Sequence, residues 1–136
     1  MSTMVIGLAS GSVEKLLVAS TLTGGGVALD MDVHIYLLLG GAYAFRKDVA
    51  GKGAYSDRPE LEEELRAGVA HAAVPDPIEN LRRLREDGRV RIHVCGTAGR
   101  IWGAGGLDDF VDICDDIVGV ASYIMHCEEA EVVQVL

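Results

Sequence analysis

Cys95 is the side chain of this sequence whose surroundings best suit covalent chemistry. It lies in Val94-Cys95-Gly96-Thr97-Ala98-Gly99-Arg100, at the abrupt end of an apolar run that begins at Val90. A thiol where a strand gives way to a helix meets the positive end of the helix dipole and several free amides, and both stabilise the thiolate. Small Gly96, Ala98 and Gly99 leave the sulfur reachable, and Arg100 adds a positive charge if the turn folds back. A thiolate so placed can attack the outer sulfur of a persulfide, hold it as Cys95–S–SH and surrender it to an acceptor thiol. Position alone leaves a second reading open, because free cysteine is also a common small core residue.

The other reactive side chains are less suggestive. Three cysteines, Cys95, Cys114 and Cys127, make an odd count without CxxC spacing, which argues against a disulfide framework or a structural zinc site. Cys114 and Cys127 fall in expected helices and read as packing residues, with a resolving role for a Cys95 persulfide as the alternative. His93 shares strand parity with Cys95 and so points to the same face, where it either assists proton transfer or is a satisfied core histidine. His34, His71 and the pair His126-Cys127 do not reproduce a metal-ligand spacing, so neither metal nor cofactor is expected. Gly24-Gly-Gly26 lacks the lysine and hydroxyl of a phosphate loop, and Gly103-Ala-Gly-Gly106 does not match a dinucleotide fingerprint. The acidic pairs Asp108-Asp109 and Asp115-Asp116 are accounted for by a helix dipole and by solvation. Trp102, the only tryptophan, sits beside Cys95 in a glycine-bounded loop, positioned to cover the thiol or fill a subunit interface.

These residues need elements to hold them. Met4 to Ala9 is a short apolar strand that ends in Ser10-Gly11-Ser12, and Ser12 can cap the helix running to about residue 29. The triplet Gly24-Gly25-Gly26 implies a break in that helix or a close approach of another backbone. Val33 to Leu39 reads as a second buried strand, and a short helix from Ala42 to Asp48 follows. A loop is expected over 49–57, then a charged helix opened by Pro59. Asp76-Pro77-Ile78-Glu79 is an N-cap, a proline at the first helical position and an acid at the third, with Ile78, Leu81 and Leu84 lining one face up to Gly88. Val90 to Cys95 is the third strand. Leu107 to Cys114 is expected as a short helix, Ile117 to Gly119 as a strand, the stretch around Ala121 to Met125 as a helix, and Val132 to Leu136 as the last strand.

Strands alternating with helices imply a flavodoxin-like, doubly wound α/β fold: a five-stranded, mostly parallel sheet with helices on both faces. The expected unit is a single domain over 1–136 with a helical insertion at about 50–75. An expected strand order of 2-1-3-4-5 makes the first and third strands neighbours. Their loops would then converge at the carboxyl ends, where ligands gather in such sheets. Ser10, Gly11, Ser12, Gly96, Thr97 and Arg100 become candidate substrate-binding residues around Cys95.

With 136 residues the chain fits one domain. No apolar run approaches the roughly 20 residues a spanning helix needs, and the N-terminus lacks the pattern of an export signal. A cytoplasmic location without membrane contact is therefore expected. The net charge of −9 argues against nucleic acid. Residues 46–91 hold 10 of the 12 basic and 10 of the 21 acidic side chains, so the two ends form an acidic body. With 49% hydrophobic residues in so small a chain, a homo-oligomer is a natural outlet for exposed apolar helices.

Almost the whole chain resembles the DsrE/DsrF-like sulfur-trafficking family, nearest its DsrE2/DsrE3 branch, often labelled peroxiredoxin-like. The resemblance rests on the order and spacing of Gly11-Ser-Val-Glu-Lys-Leu16, Ala28-Leu-Asp-Met-Asp-Val-His-Ile-Tyr36, Phe45-Arg-Lys47, Val94-Cys95-Gly96, Val118-Gly-Val-Ala-Ser-Tyr123 and Glu129-Ala-Glu-Val-Val133. It implies a flavodoxin-like fold, homo-oligomers, a persulfide-carrying cysteine at Cys95, and exchange with small carrier proteins of the TusA type. Members of that branch commonly carry a methionine-rich stretch after the cysteine. Here Thr97, Ala98, Arg100, Ile101 and Trp102 stand instead, which points to a different partner or acceptor.

The expected function is thus a sulfur carrier or sulfurtransferase. The alternative is a non-catalytic subunit of the same fold that binds a small anion or a partner protein. A thiol peroxidase would want a clear resolving cysteine, and none is evident.

Overall fold

Five strands form one sheet, and every neighbouring pair is parallel. In the computed structural model, which describes residues 2–52 and 55–136, they are β1 (Thr3–Leu8), β2 (Asp32–Leu37), β3 (Val90–Cys95), β4 (Asp116–Val118) and β5 (Val132–Val135). Between them run α1 (Val13–Ala28), α2 (Leu39–Ala44), α3 (Glu62–His71), α4 (Pro77–Asp87), α5 (Gly96–Ile101) and α6 (Val120–Glu129). The expected loop at 49–57 and the expected insertion at about 50–75 include Gly53 and Ala54, which lie outside the described residues. The part of that insertion described carries a 3₁₀ turn, Pro59–Leu61, and α3.

Local signals explain most of the helix boundaries. Ser12 caps α1, its hydroxyl accepting from the Lys15 amide. Asp76 caps α4, accepting from the amides of Ile78 and Glu79, with Pro77 in the first turn and Gly88 at the end. The glycine triplet does not break α1. Gly26 is where the helix comes close to the sheet, since a Cβ there would lie 2.5 Å from Met4 Cε and 2.8 Å from Val33 Cγ2.

The flavodoxin-like class stands, with helices on both faces. The order along the sheet is β4-β3-β2-β1-β5 rather than 2-1-3-4-5. Each step from β1 to β4 moves one strand in the same direction, and only β5 returns to the far side of β1. Right-handed crossovers then put α1 to α5 on one face and α6 on the other. Leu16, Ala19, Ala42, Ile78, Leu81 and Ala98 accordingly pack with Ile6, Ile35, Ile92 and Val94 in the main core. Alternation of strands and helices announces the class but does not mark where the winding reverses.

The expected helix over 107–114 is a second departure. Only Leu107–Asp109 turns, as a 3₁₀ segment, after which Phe110 is extended, bridges to Arg46 and is buried. The core takes the two aromatic residues Phe45 and Phe110 as anchors here, and the helical spacing of apolar side chains reflects that packing instead.

Candidate functional site

Cys95 closes β3 and is the N-cap residue of α5, with extended backbone (φ −67°, ψ 125°) and no side chain capping the helix. The first amides of a helix have no partner within it, so those of α5 face the end of β3. Arg100 folds back along the first turn, donating from Nη2 to Thr97 Oγ1 at 3.3 Å, and its other terminal nitrogen comes near Gly96. The Cys95 side is tight all the same: the residue is 8% exposed and is part of the main core.

The first loop lies elsewhere. Because β2 separates β1 from β3, Ser10–Ser12 and Cys95 stand two strands apart, about 10 Å at ordinary strand spacing. Residues 55–58 occupy the start of α1. Tyr55 hydrogen-bonds the Ser10 hydroxyl and accepts from the Val13 amide, Ser12 Oγ donates to Asp57 at 2.7 Å, and Glu14 accepts from Ser56, Asp57 and Arg58. A cleft of about 530 Å³ opens beside this segment, lined by Gly11, Gly40, Tyr43, Lys52, Tyr55 and Arg66 among others, with no residue of α5. Of the six candidate binding residues, Gly11 lines this cleft, and Gly96, Thr97 and Arg100 do not. Reversal of the winding falls between β1 and β5, where Leu136 donates to Gly7 and accepts from Ala9.

Trp102 ties α5 to α2: its Nε1 donates to the Leu39 carbonyl at 2.8 Å, and its ring meets Tyr43 at 4.8 Å. Cys114 is buried in a turn after Phe110, and burial, aided by Asp115, pushes its thiol up to about 12. Cys127 is half-buried on α6, where it helps to raise the Tyr123 hydroxyl above its ordinary value, after burial. Asp115 pairs with Arg85 at 2.9 Å and accepts from the Ile92 amide, so it serves packing between α4 and β3 rather than solvation.

The face of the sheet beneath α6 carries a polar cluster. Register sets Gly7, Tyr36, His93 and Asp116 in one row across four strands. A Cβ at Gly7 would lie 2.5 Å from the Tyr123 hydroxyl, so the missing side chain lets α6 settle over this row. His93 is buried between two partners: its Nδ1 lies 2.6 Å from Asp116 Oδ1 and its Nε2 lies 2.9 Å from His34 Nδ1. His126, from α6, stacks on His34 with centroids 4.0 Å apart, and its Nδ1 bonds the Tyr36 hydroxyl. Burial first, then the neighbouring His126 and His93, pushes His34 down to about 4, so that ring is neutral at pH 7. Burial also pushes Tyr36 up to about 12. Cys95, two residues on and the last residue of β3, belongs instead to the main core, so the shared face expected for His93 and Cys95 does not bring the thiol into this cluster.

No protein-family model matches the sequence, and no curated protein matches it. Solved structures do. The chain is similar to the YchN protein from E. coli, with a TM-score of 0.63 at 16% identity, and to MTH1491 from Methanobacterium thermoautotrophicum, a protein of unknown function, with 0.59 at 17%. Both alignments cover 100% of each chain. The fold is DsrE-like. At such identities the likeness fixes the arrangement of the chain and leaves its chemistry to the residues themselves. Among the described residues no helix is long and apolar enough to cross a membrane.

The expectation of no metal rested on linear spacing. His34, His93 and His126 come from β2, β3 and α6, and only register and the face taken by α6 bring them together. The signal within reach was parity: His34 and Tyr36 share one face of β2, and register sets His93 beside Tyr36 on that face.

Proposed function

We propose that the protein is a sulfur carrier of the sulfurtransferase kind, with Cys95 as the residue that holds sulfur. The observation that carries this reading is the position of Cys95 at the uncapped start of α5, with Arg100 folded over the same turn. The Cys95 thiolate attacks the outer sulfur of a donor persulfide or polysulfide. A Cys95–S–SH bond forms, the donor S–S bond breaks, and the donor leaves as a thiolate that takes up a proton. An acceptor thiolate then attacks the outer sulfur, regenerating Cys95 without net oxidation. His93 has both ring nitrogens engaged, so the α5 amides, Thr97 and Arg100 remain as the groups that support the sulfur. The acceptor we favour is a small carrier protein with an exposed thiol.

A homo-oligomer belongs to this proposal. Val120, Ile124 and Met125 on α6 and Val135 on β5 are each at least half exposed, an apolar surface suited to a second copy of the chain. Sedimentation of the purified protein tests it.

A second reading is favoured by the 8% exposure of Cys95: a subunit of the same fold that only binds a partner or an anion. Loading with polysulfide, removal of excess reagent and addition of a small thiol separates the two. A carrier gains sulfur and then loses it to the thiol, whereas a binding subunit gains none.

A further inference from the structure

The three imidazoles under α6 are unused by the persulfide chemistry and are arranged about one point. One nitrogen from each of His34, His93 and His126 lies within 4.8 Å of the other two. We propose that these three residues bind one divalent transition-metal ion of the zinc type per chain.

Three features of the surroundings support this. Asp116 accepts from His93 Nδ1–H, which fixes the tautomer and leaves the Nε2 lone pair facing His34, the carboxylate–histidine arrangement that orients metal ligands. Tyr36 engages His126 Nδ1, and in the tautomer where that nitrogen donates, Nε2 is free as a ligand. The donor set is all imidazole, which suits zinc, cobalt, nickel or copper and not the oxygen-seeking magnesium or calcium.

The ion takes the place of a shared proton. His34 Nδ1 and His93 Nε2 stand 2.9 Å apart, whereas two nitrogens on a tetrahedral ion at about 2.0–2.1 Å are separated by about 3.3 Å. The rings now lie near parallel, 12° between His34 and His93 and 21° between His34 and His126, so binding requires the rings to turn toward a common centre. His34 and His126 are half-buried, whereas His93 is buried. Three protein ligands leave a fourth position for water or a small anion, as in zinc sites of the open kind.

The test is titration of chelator-treated full-length protein with zinc ion by calorimetry, and with cobalt ion by visible absorption. One ion per chain and a tetrahedral cobalt spectrum are expected. His34→Ala and His126→Gln, both at half-buried positions and checked for fold by circular dichroism, each weaken binding at least about tenfold. His71→Ala, on exposed α3, and Cys95→Ser bind as the parent does, so failure here and failure of the sulfur reading are separate results. Absence of saturable binding, or binding that either of the two histidine variants leaves unchanged, overturns the proposal.

Discussion

His93 Nδ1 lies 2.6 Å from Asp116 Oδ1, and the two residues are also register partners across β3 and β4. The short edge strand thus holds the one carboxylate that orients the buried imidazole. Asp116 is about half exposed, so its replacement by asparagine leaves the core untouched. Asp116→Asn is expected to keep the fold and to weaken zinc binding about 10- to 100-fold, the usual cost of losing a partner behind a ligand. An affinity equal to the parent's, read by the same calorimetric titration, would show that the carboxylate does not orient the ring.

Glycines divide into those that bring backbones together and those that do not. A Cβ at Gly41 would fall on the Leu8 carbonyl, while one at Gly25 in α1 meets nothing within 4 Å. Gly41→Ala should destabilise by about 1–3 kcal/mol through overpacking, and Gly25→Ala should stabilise by up to about 1 kcal/mol through helix propensity. Chemical denaturation of both variants measures this, and equal effects would contradict the packing described.

Cys114 is buried, as Cys95 is, whereas Cys127 is half-buried. With its thiol pushed up to about 12, roughly one molecule in ten thousand carries the thiolate at pH 8. Iodoacetamide should leave Cys114 unmodified in the folded protein and reach it only with denaturant, as read by peptide mass mapping. Labelling of Cys114 as fast as that of half-exposed Cys127 would rule out this environment.

Glu14 holds the segment at residues 56–58 to the start of α1. Burial is the largest single influence and opposes its charge, but the hydrogen bonds from Ser56, Asp57 and Arg58 together outweigh it and keep its carboxyl below the ordinary 4.5. A lowered folded value means the contact stabilises fully above 4.5 and is lost as pH falls through the folded value. Solvent screening keeps the effect small. Limited proteolysis should cut near residue 57 sooner in Glu14→Gln at neutral pH, whereas identical cleavage rates would deny Glu14 this role.

Much of the fold was legible because its signals are local. The Asp76-Pro77 start of α4, the Ser12 cap and the three apolar strands each follow from a few adjacent residues. Strand order was not legible, since it depends on where one crossover reverses, and placing β2 between β1 and β3 separates Ser10–Ser12 from Cys95. The histidine cluster was hidden for the same reason: 59 residues separate His34 from His93, and His126 reaches them only because α6 crosses the opposite face. The place of Cys95 at the end of β3 was legible, since it needs no knowledge of strand order.

Intact mass of the protein after exposure to polysulfide tests the role of Cys95 most directly. The expected result is a gain of whole sulfur atoms that Cys114→Ser and Cys127→Ser retain and Cys95→Ser loses. A gain that persists in Cys95→Ser, or none in the parent, would mean that the thiol beside α5 carries no sulfur.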